Sequence, residues 1–250
     1  MRINKLEVQV YQARTEMGSA AALEVTERIN ALLRQQATVN IIFAAAPSQQ
    51  EFLQGLRRAP IEWGRIRAFH MDEYIGLRPD AVQGFGNFLR ERLFDKVPFL
   101  AVYYIDGDAV DLKKECERYG ALLQKYPPDI VCMGIGENGH IAFNDPPVAD
   151  FDDPYAVKVV ALDQPCRQQQ VNDGCFSELE SVPTHAITLT IPTLMSGRFI
   201  YCIVPGRQKA QAVFNTLHRE VVEAYPASIL RNHEHAVLFL DALSAEMMDI

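Results

Sequence analysis

Asp129-Ile-Val-Cys-Met133 runs directly into Gly134-Ile-Gly-Glu-Asn-Gly-His140-Ile-Ala-Phe-Asn-Asp145-Pro-Pro147. The first five residues read as a buried strand. The three glycines that follow let the backbone turn sharply and allow close approach to a ligand. The turn delivers a histidine, an amide and a carboxylate into one short loop. In open α/β sheets, chemistry is placed at the carboxyl ends of strands, which is where this loop begins.

A second stretch has the same form. Ile66-Arg-Ala-Phe-His-Met71 is strand-like and runs into Asp72-Glu-Tyr-Ile-Gly76. Two adjacent acids at a buried strand end are costly unless they are solvated or used. An acid at one strand end and a His/Asp pair at another point to proton transfer on a small molecule. A carboxylate beside His140 would orient the ring and favour its protonated form. His70, Asp72, His140 and Asp145 lack a metal-ligand spacing, so the expectation is that no metal is held.

Outward from these motifs, strands and helices alternate. Helical spacing covers 17–36, and Thr38 to Ala45 reads as a buried strand. Ser48 and Glu51 have capping-box spacing for a helix ending near Arg58. Strands follow near 66–71, 101–105, 129–134, 186–190, 199–204 and 236–240. Helices are expected near 86–95, 109–125 and 207–217, and an acidic, proline-rich loop from 145 to 157. The pattern predicts one α/β domain over 1–250, Rossmann-like, with a mainly parallel sheet and helices on both faces.

With 250 residues and 48% hydrophobic content, the chain is long enough to bury a sizeable core. The net charge of −8 leaves no basic footprint for nucleic acid. Five scattered cysteines without a C-x-x-C pair read as reduced thiols. No apolar run approaches a membrane span and no signal region opens the chain, so the expected location is the cytoplasm. The expected partner is a small molecule, with a homo-oligomer left open.

Four segments together resemble the glucosamine-6-phosphate deaminase/isomerase family. They are Phe69-His-Met-Asp-Glu-Tyr-Ile-Gly-Leu77, the Gly134 to Pro146 motif, Leu189-Thr-Ile-Pro-Thr-Leu194 and Gly206-Arg-Gln-Lys-Ala210. Related 6-phosphogluconolactonases share the fold, but Asp-Glu-Tyr before Ile-Gly-Leu, and His-Ile-Ala-Phe-Asn, look like the deaminase branch. The resemblance implies a cofactor-free, metal-independent reaction on a sugar phosphate. The amino-sugar ring opens, a proton moves between C2 and C1, and ammonia leaves.

The resemblance also implies roles. Asp72 matches the acid/base, His140 the ring-opening catalyst, and Lys209 the phosphate-binding lysine. Asp145 stands where the family usually has Glu and would orient His140. The residue before Gly-His is usually an acid in the family and here is Asn138. Glu137, one step earlier, compensates only if it turns inward. The phosphate loop reads Ala44-Ala-Ala-Pro-Ser-Gln49, which leaves Ala45, Ser48 and Gln49, with Gly136 of the glycine turn, as substrate-binding candidates. The family's phosphate arginine would fall near Asn172, and Arg167 is the nearest basic candidate. Two alternatives stay open: a lactonase-like hydrolase, and a sugar-phosphate sensor that binds without turnover.

Overall fold

In the computed structural model, residues 1–248 are described; the last two positions of the expected 1–250 domain, Asp249 and Ile250, lie outside the described residues. The main sheet has eight strands. In chain order they are β1 (Arg2–Ile3), β2 (Leu6–Tyr11), β3 (Val39–Phe43), β4 (Ile66–His70), β6 (Ala101–Tyr103), β7 (Ile130–Met133), β10 (Phe199–Val204) and β11 (Ala236–Asp241). Their spatial order is β1-β2-β11-β10-β7-β3-β4-β6. Every pairing is parallel except β1 with β2.

The central strands are continuous apolar runs because both faces are covered. Side chains alternate between the two faces with period two. Ile41, Phe43, Ile130, Cys132, Tyr201 and Ile203 pack on one side, with α1 (Arg14–Leu33) and α2 (Gln50–Arg58). Ile42, Val131, Met133, Ile200, Cys202 and Val204 pack on the other, with α4 (Leu112–Lys125), α6 (Ile191–Met195) and α7 (Ala210–His218). The helices therefore cover both faces, as the alternation of elements predicts.

A second sheet is antiparallel, in the order β5-β9-β8, from β5 (Asp72–Tyr74), β8 (Val157–Ala161) and β9 (His185–Leu189). Its outer strands are absent from the sequence expectation. Asp-Glu-Tyr has little strand propensity of its own, and Asp72 pairs with Thr188 far along the chain. Tertiary pairing overrides propensity here. The β1–β2 hairpin, α5 (Gln164–Asn172) and α6 also lie outside the expected elements.

Other boundaries differ. The first helix runs 14–33 rather than 17–36. The expected helix near 86–95 is α3 (Phe85–Leu89) followed by a wider π turn over Arg90–Phe94. The capping box does not form. Ser48 accepts from Gln49 Nε2 (3.1 Å) and Glu51 pairs with Arg14 (2.8 Å), so neither side chain caps α2.

Candidate active site

Four adjacent strands, in the order β10-β7-β3-β4, send their carboxyl-terminal loops to one place. The cleft between them is about 540 Å³ including its open mouth. Asp72, His140, Ala45, Ser48, Gln49, Gly136 and Lys209 all line it.

Asp72 leaves the end of β4 and starts β5, so its carboxyl group turns into the cleft while the next side chain turns away. Burial, and then the neighbouring Glu73, push its pKa well above the usual carboxylate range. Glu73 is spent structurally: it accepts from the N–H groups of Tyr74 (3.0 Å), Phe85 (3.0 Å) and Gly86 (2.8 Å). Of the two adjacent acids, one faces the cleft and the other holds the start of α3.

His70 is a strut beneath Asp72. Its Nε2 accepts from the Ile105 N–H (2.9 Å), so the ring proton sits on Nδ1 and is donated to the Asp72 carbonyl (2.9 Å). Burial lowers its pKa to about 4. With both nitrogens on backbone groups, His70 does not converge with Asp72, His140 and Asp145 as a ligand.

The glycine turn after β7 is built around His140. Gly139 takes φ +91°, which favours glycine. Ala142 at φ +47° also sits in the left-handed region, a strained position for a residue with a Cβ. The His140 Nδ1 lies 2.8 Å from Asn138 Oδ1 and 2.8 Å from Asp145 Oδ1. Asn138 also donates from Nδ2 to Asp145 Oδ1 (2.8 Å) and accepts the His140 N–H (3.0 Å). An Nδ1–H facing two oxygens leaves Nε2 as the basic nitrogen. Burial acts to raise the Asp145 pKa, but the His140 charge and the hydrogen bonds from His140 and Asn138 outweigh it, and the net direction is down.

Cys166, at the start of α5, brings its thiol against Asp145. Burial, then the Asp145 charge, push that thiol's pKa well up, so it stands there protonated. Donor atoms of His140, Asp145 and Cys166 lie within 4.8 Å of one another, the metal-capable grouping found among the described residues. The sequence carries no signal for this cysteine, because α5 delivers it from 21 positions beyond Asp145.

The far end of the cleft follows Gly206, whose φ of +98° sets the turn before Lys209. Both carboxylate oxygens of Asp241 accept the Gly206 N–H (3.0 and 3.2 Å) and fix that turn. Lys209 is buried; burial lowers its pKa, while Asp173 and then Glu137 act to raise it. Gln169, Gln170 and Asp173 also line the cleft.

Two expectations are corrected. Glu137 does not turn toward His140. Its N–H donates to Gln169 Oε1 (2.7 Å), and its carboxylate faces α5, 3.5 Å from Asn172 Nδ2. It therefore cannot stand in for the acid that Asn138 replaces. Arg167 lies outside the cleft lining. Its guanidinium donates to the Leu179 (2.6 Å) and Val182 (2.9 and 3.2 Å) carbonyls and holds the chain after α5. The next turn of α5 instead brings Gln169 and Gln170 into the cleft, with Asp173 just beyond it.

Residues 12–239 match the family of glucosamine-6-phosphate isomerases/6-phosphogluconolactonase. A glucosamine-6-phosphate deaminase of Streptococcus suis is 32% identical over 232 residues, covering 92% of this chain and 95% of that one. Another, from Exiguobacterium sp., is 38% identical over 192 residues, covering 77% and 74%. Among solved structures, a monomeric glucosamine-6-phosphate deaminase superposes with a TM-score of 0.87 at 28% identity, over 96% of this chain and 99% of that one. A 6-phosphogluconolactonase from Trypanosoma cruzi has a TM-score of 0.80 at 20% identity, over 100% and 99%, a likeness of fold alone.

Proposed function

This chain belongs to the family of glucosamine-6-phosphate isomerases and 6-phosphogluconolactonases, and we propose that within it the protein is an amino-sugar-phosphate deaminase/isomerase. The reaction converts glucosamine 6-phosphate, or a stereoisomer such as galactosamine 6-phosphate, to a ketose 6-phosphate and ammonia. The observation that carries this reading is that Asp72 and His140 face one cleft, with the His140 ring held by Asn138 and Asp145.

In this reading His140 Nε2 moves the proton that opens the sugar ring, and Asp145 and Asn138 hold the ring by Nδ1. Asp72 then takes the proton from C2 and returns it to C1. C2 is left as an imine, which water converts to the ketone with loss of ammonia. The raised pKa of Asp72 suits a group that must both accept and donate a proton near neutral pH. Lys209, the N-terminal turn of α2 and Ser48 serve the far end of the sugar. The residue span 1–250 works as one domain. The five free cysteines support a reducing compartment, and we place the enzyme in the cytoplasm. Among the described residues, no helix is long and apolar enough to cross a membrane.

Ammonia release from glucosamine 6-phosphate and galactosamine 6-phosphate, assayed in parallel, tests the reading. Turnover in deuterium oxide should place deuterium at C1 of the ketose. Ammonia-free hydrolysis of a lactone would instead assign the protein to the lactonase branch, which requires no proton transfer between C2 and C1.

A further inference from the structure

The far end of the cleft holds more unpartnered acceptors than positive charge. Lys209 is the one ammonium or guanidinium group among the lining residues. Asp173 lines the same wall, its Oδ2 held at 3.3 Å by Gln169 Nε2. The other end of that amide accepts the Glu137 N–H, so Gln169 is locked between the two segments that carry the carboxylates. Glu137 Oε1 is buried without a partner, and so is Gln49 Oε1. The Gln49 amide cannot be turned over, because its Nε2 must face the Ile203 carbonyl at 3.1 Å. One cation lines the cleft beside the Asp173 carboxylate and a bare amide oxygen, and the Glu137 carboxylate, turned toward α5, adds its charge from behind the lining.

A phosphate monoester loses its second proton near pH 6, so at neutral pH it carries about −1.5 to −2. The dianion brings only acceptors. It would compete with Asp173 and Glu137 for Lys209 and meet both with like charge. The monoanion has half the charge and one P–OH to donate. A sulfate ester carries the same single charge at every pH near neutrality.

We infer that Asp173 and Glu137 set the charge this cleft accepts at the far end of the sugar: a singly charged oxyanion ester binds in preference to a phosphate dianion. This deepens the deaminase reading and rests on it for the identity of the sugar. The other titratable groups at the cleft, Asp72, His140, Lys209 and the Cys166 thiol behind Asp145, are common to the parent protein and Asp173→Asn, so the comparison of the two isolates the Asp173 charge.

The experiment is the ratio of KM for glucosamine 6-phosphate to KM for glucosamine 6-sulfate between pH 6 and pH 8. If only the monoanion binds well, its share of the phosphate ester falls by about fifty-fold over that range, and the ratio should rise at least tenfold. In Asp173→Asn the rise should shrink to about threefold or less, with KM for the phosphate at pH 8 several-fold lower than in the parent. A flat ratio in the parent protein, or an Asp173→Asn variant that binds the phosphate no better, would overturn the inference. Silence with both esters would instead sink the deaminase reading. Thermal stabilisation by methyl sulfate and methyl phosphate at pH 8 then decides the charge question separately. Methyl sulfate should stabilise more, with the order reversed in Asp173→Asn; the opposite order in the parent protein overturns the inference.

Discussion

Gly136 and His140 are packed backbone against ring. A Cβ on Gly136 would stand 2.2 Å from His140 Cε1, 2.3 Å from Nε2 and 2.4 Å from Nδ1. The glycine at this position makes room for the imidazole itself, in addition to any ligand. Gly136→Ala should therefore push the ring off Asn138 and Asp145. The expected result is a kcat loss of about a hundredfold or more, the scale of a displaced acid/base, with an overpacking cost of about 1–3 kcal/mol. Steady-state kinetics beside a thermal melt would check it; near-parent kcat would show that His140 is not the proton carrier.

Asp72→Asn should abolish turnover and stabilise the fold. A carboxyl group whose folded pKa is raised favours its protonated form in the folded state. That contribution is fully present below the unfolded pKa and is lost as pH rises through the folded one. Above the unfolded pKa the folded chain must either hold that proton or bury the charge, a cost that the neutral amide removes. Each pH unit of separation is worth about 1.4 kcal/mol, or roughly 3–6 °C in Tm for a chain of this size. The gain in Tm should vanish below pH 4, and a variant less stable than the parent at pH 8 would contradict this account.

Asn138 joins His140 to Asp145, so restoring an acid at that position should not simply improve the enzyme. In Asn138→Asp a second carboxylate would lie where the amide now sits 2.8 Å from Asp145 Oδ1. Two carboxylates at that distance share one proton. The pH–rate profile should show a new titration and a fall in rate as that proton leaves. Asn138→Leu, which removes the acceptor and the donor together, should cost about 1–3 kcal/mol and lower kcat without a new titration.

His70 predicts an acid limb in stability. Its folded pKa of about 4 lies below the 6.5 of the free side chain. The contribution is complete above pH 6.5 and is lost as pH falls toward 4, because the unfolded chain takes up the proton first. The gap corresponds to about 3 kcal/mol. Denaturant melts from pH 7.5 to 4 should show the loss, and His70→Asn should flatten that part of the curve while lowering stability at pH 7.5.

Much of the fold was legible from local pattern. The runs at 39–43, 130–133, 199–204 and 236–241 are apolar because both faces of the sheet are covered, and a buried strand must look that way wherever it sits. Asp72 and His140 were legible as candidates because each follows such a run, and the carboxyl end of a parallel strand opens onto the cleft.

Side-chain direction and partner choice were not legible. Glu137 turns to α5, Arg167 is spent on the Leu179 and Val182 carbonyls, and Cys166 reaches Asp145, all through contacts made when α5 packs beside the glycine turn. Asp72 leaves the main sheet because β9, more than a hundred residues later, offers it a strand to pair with. Periodicity and turn chemistry are local properties of the chain, so the sequence by itself determined the layered α/β architecture and which strand ends carry the chemistry. The charge at the far end of the cleft, with Lys209 opposed by Asp173 and Glu137, was decided only by the tertiary structure. Electrostatic balance depends on distances between segments that the chain does not encode as neighbours.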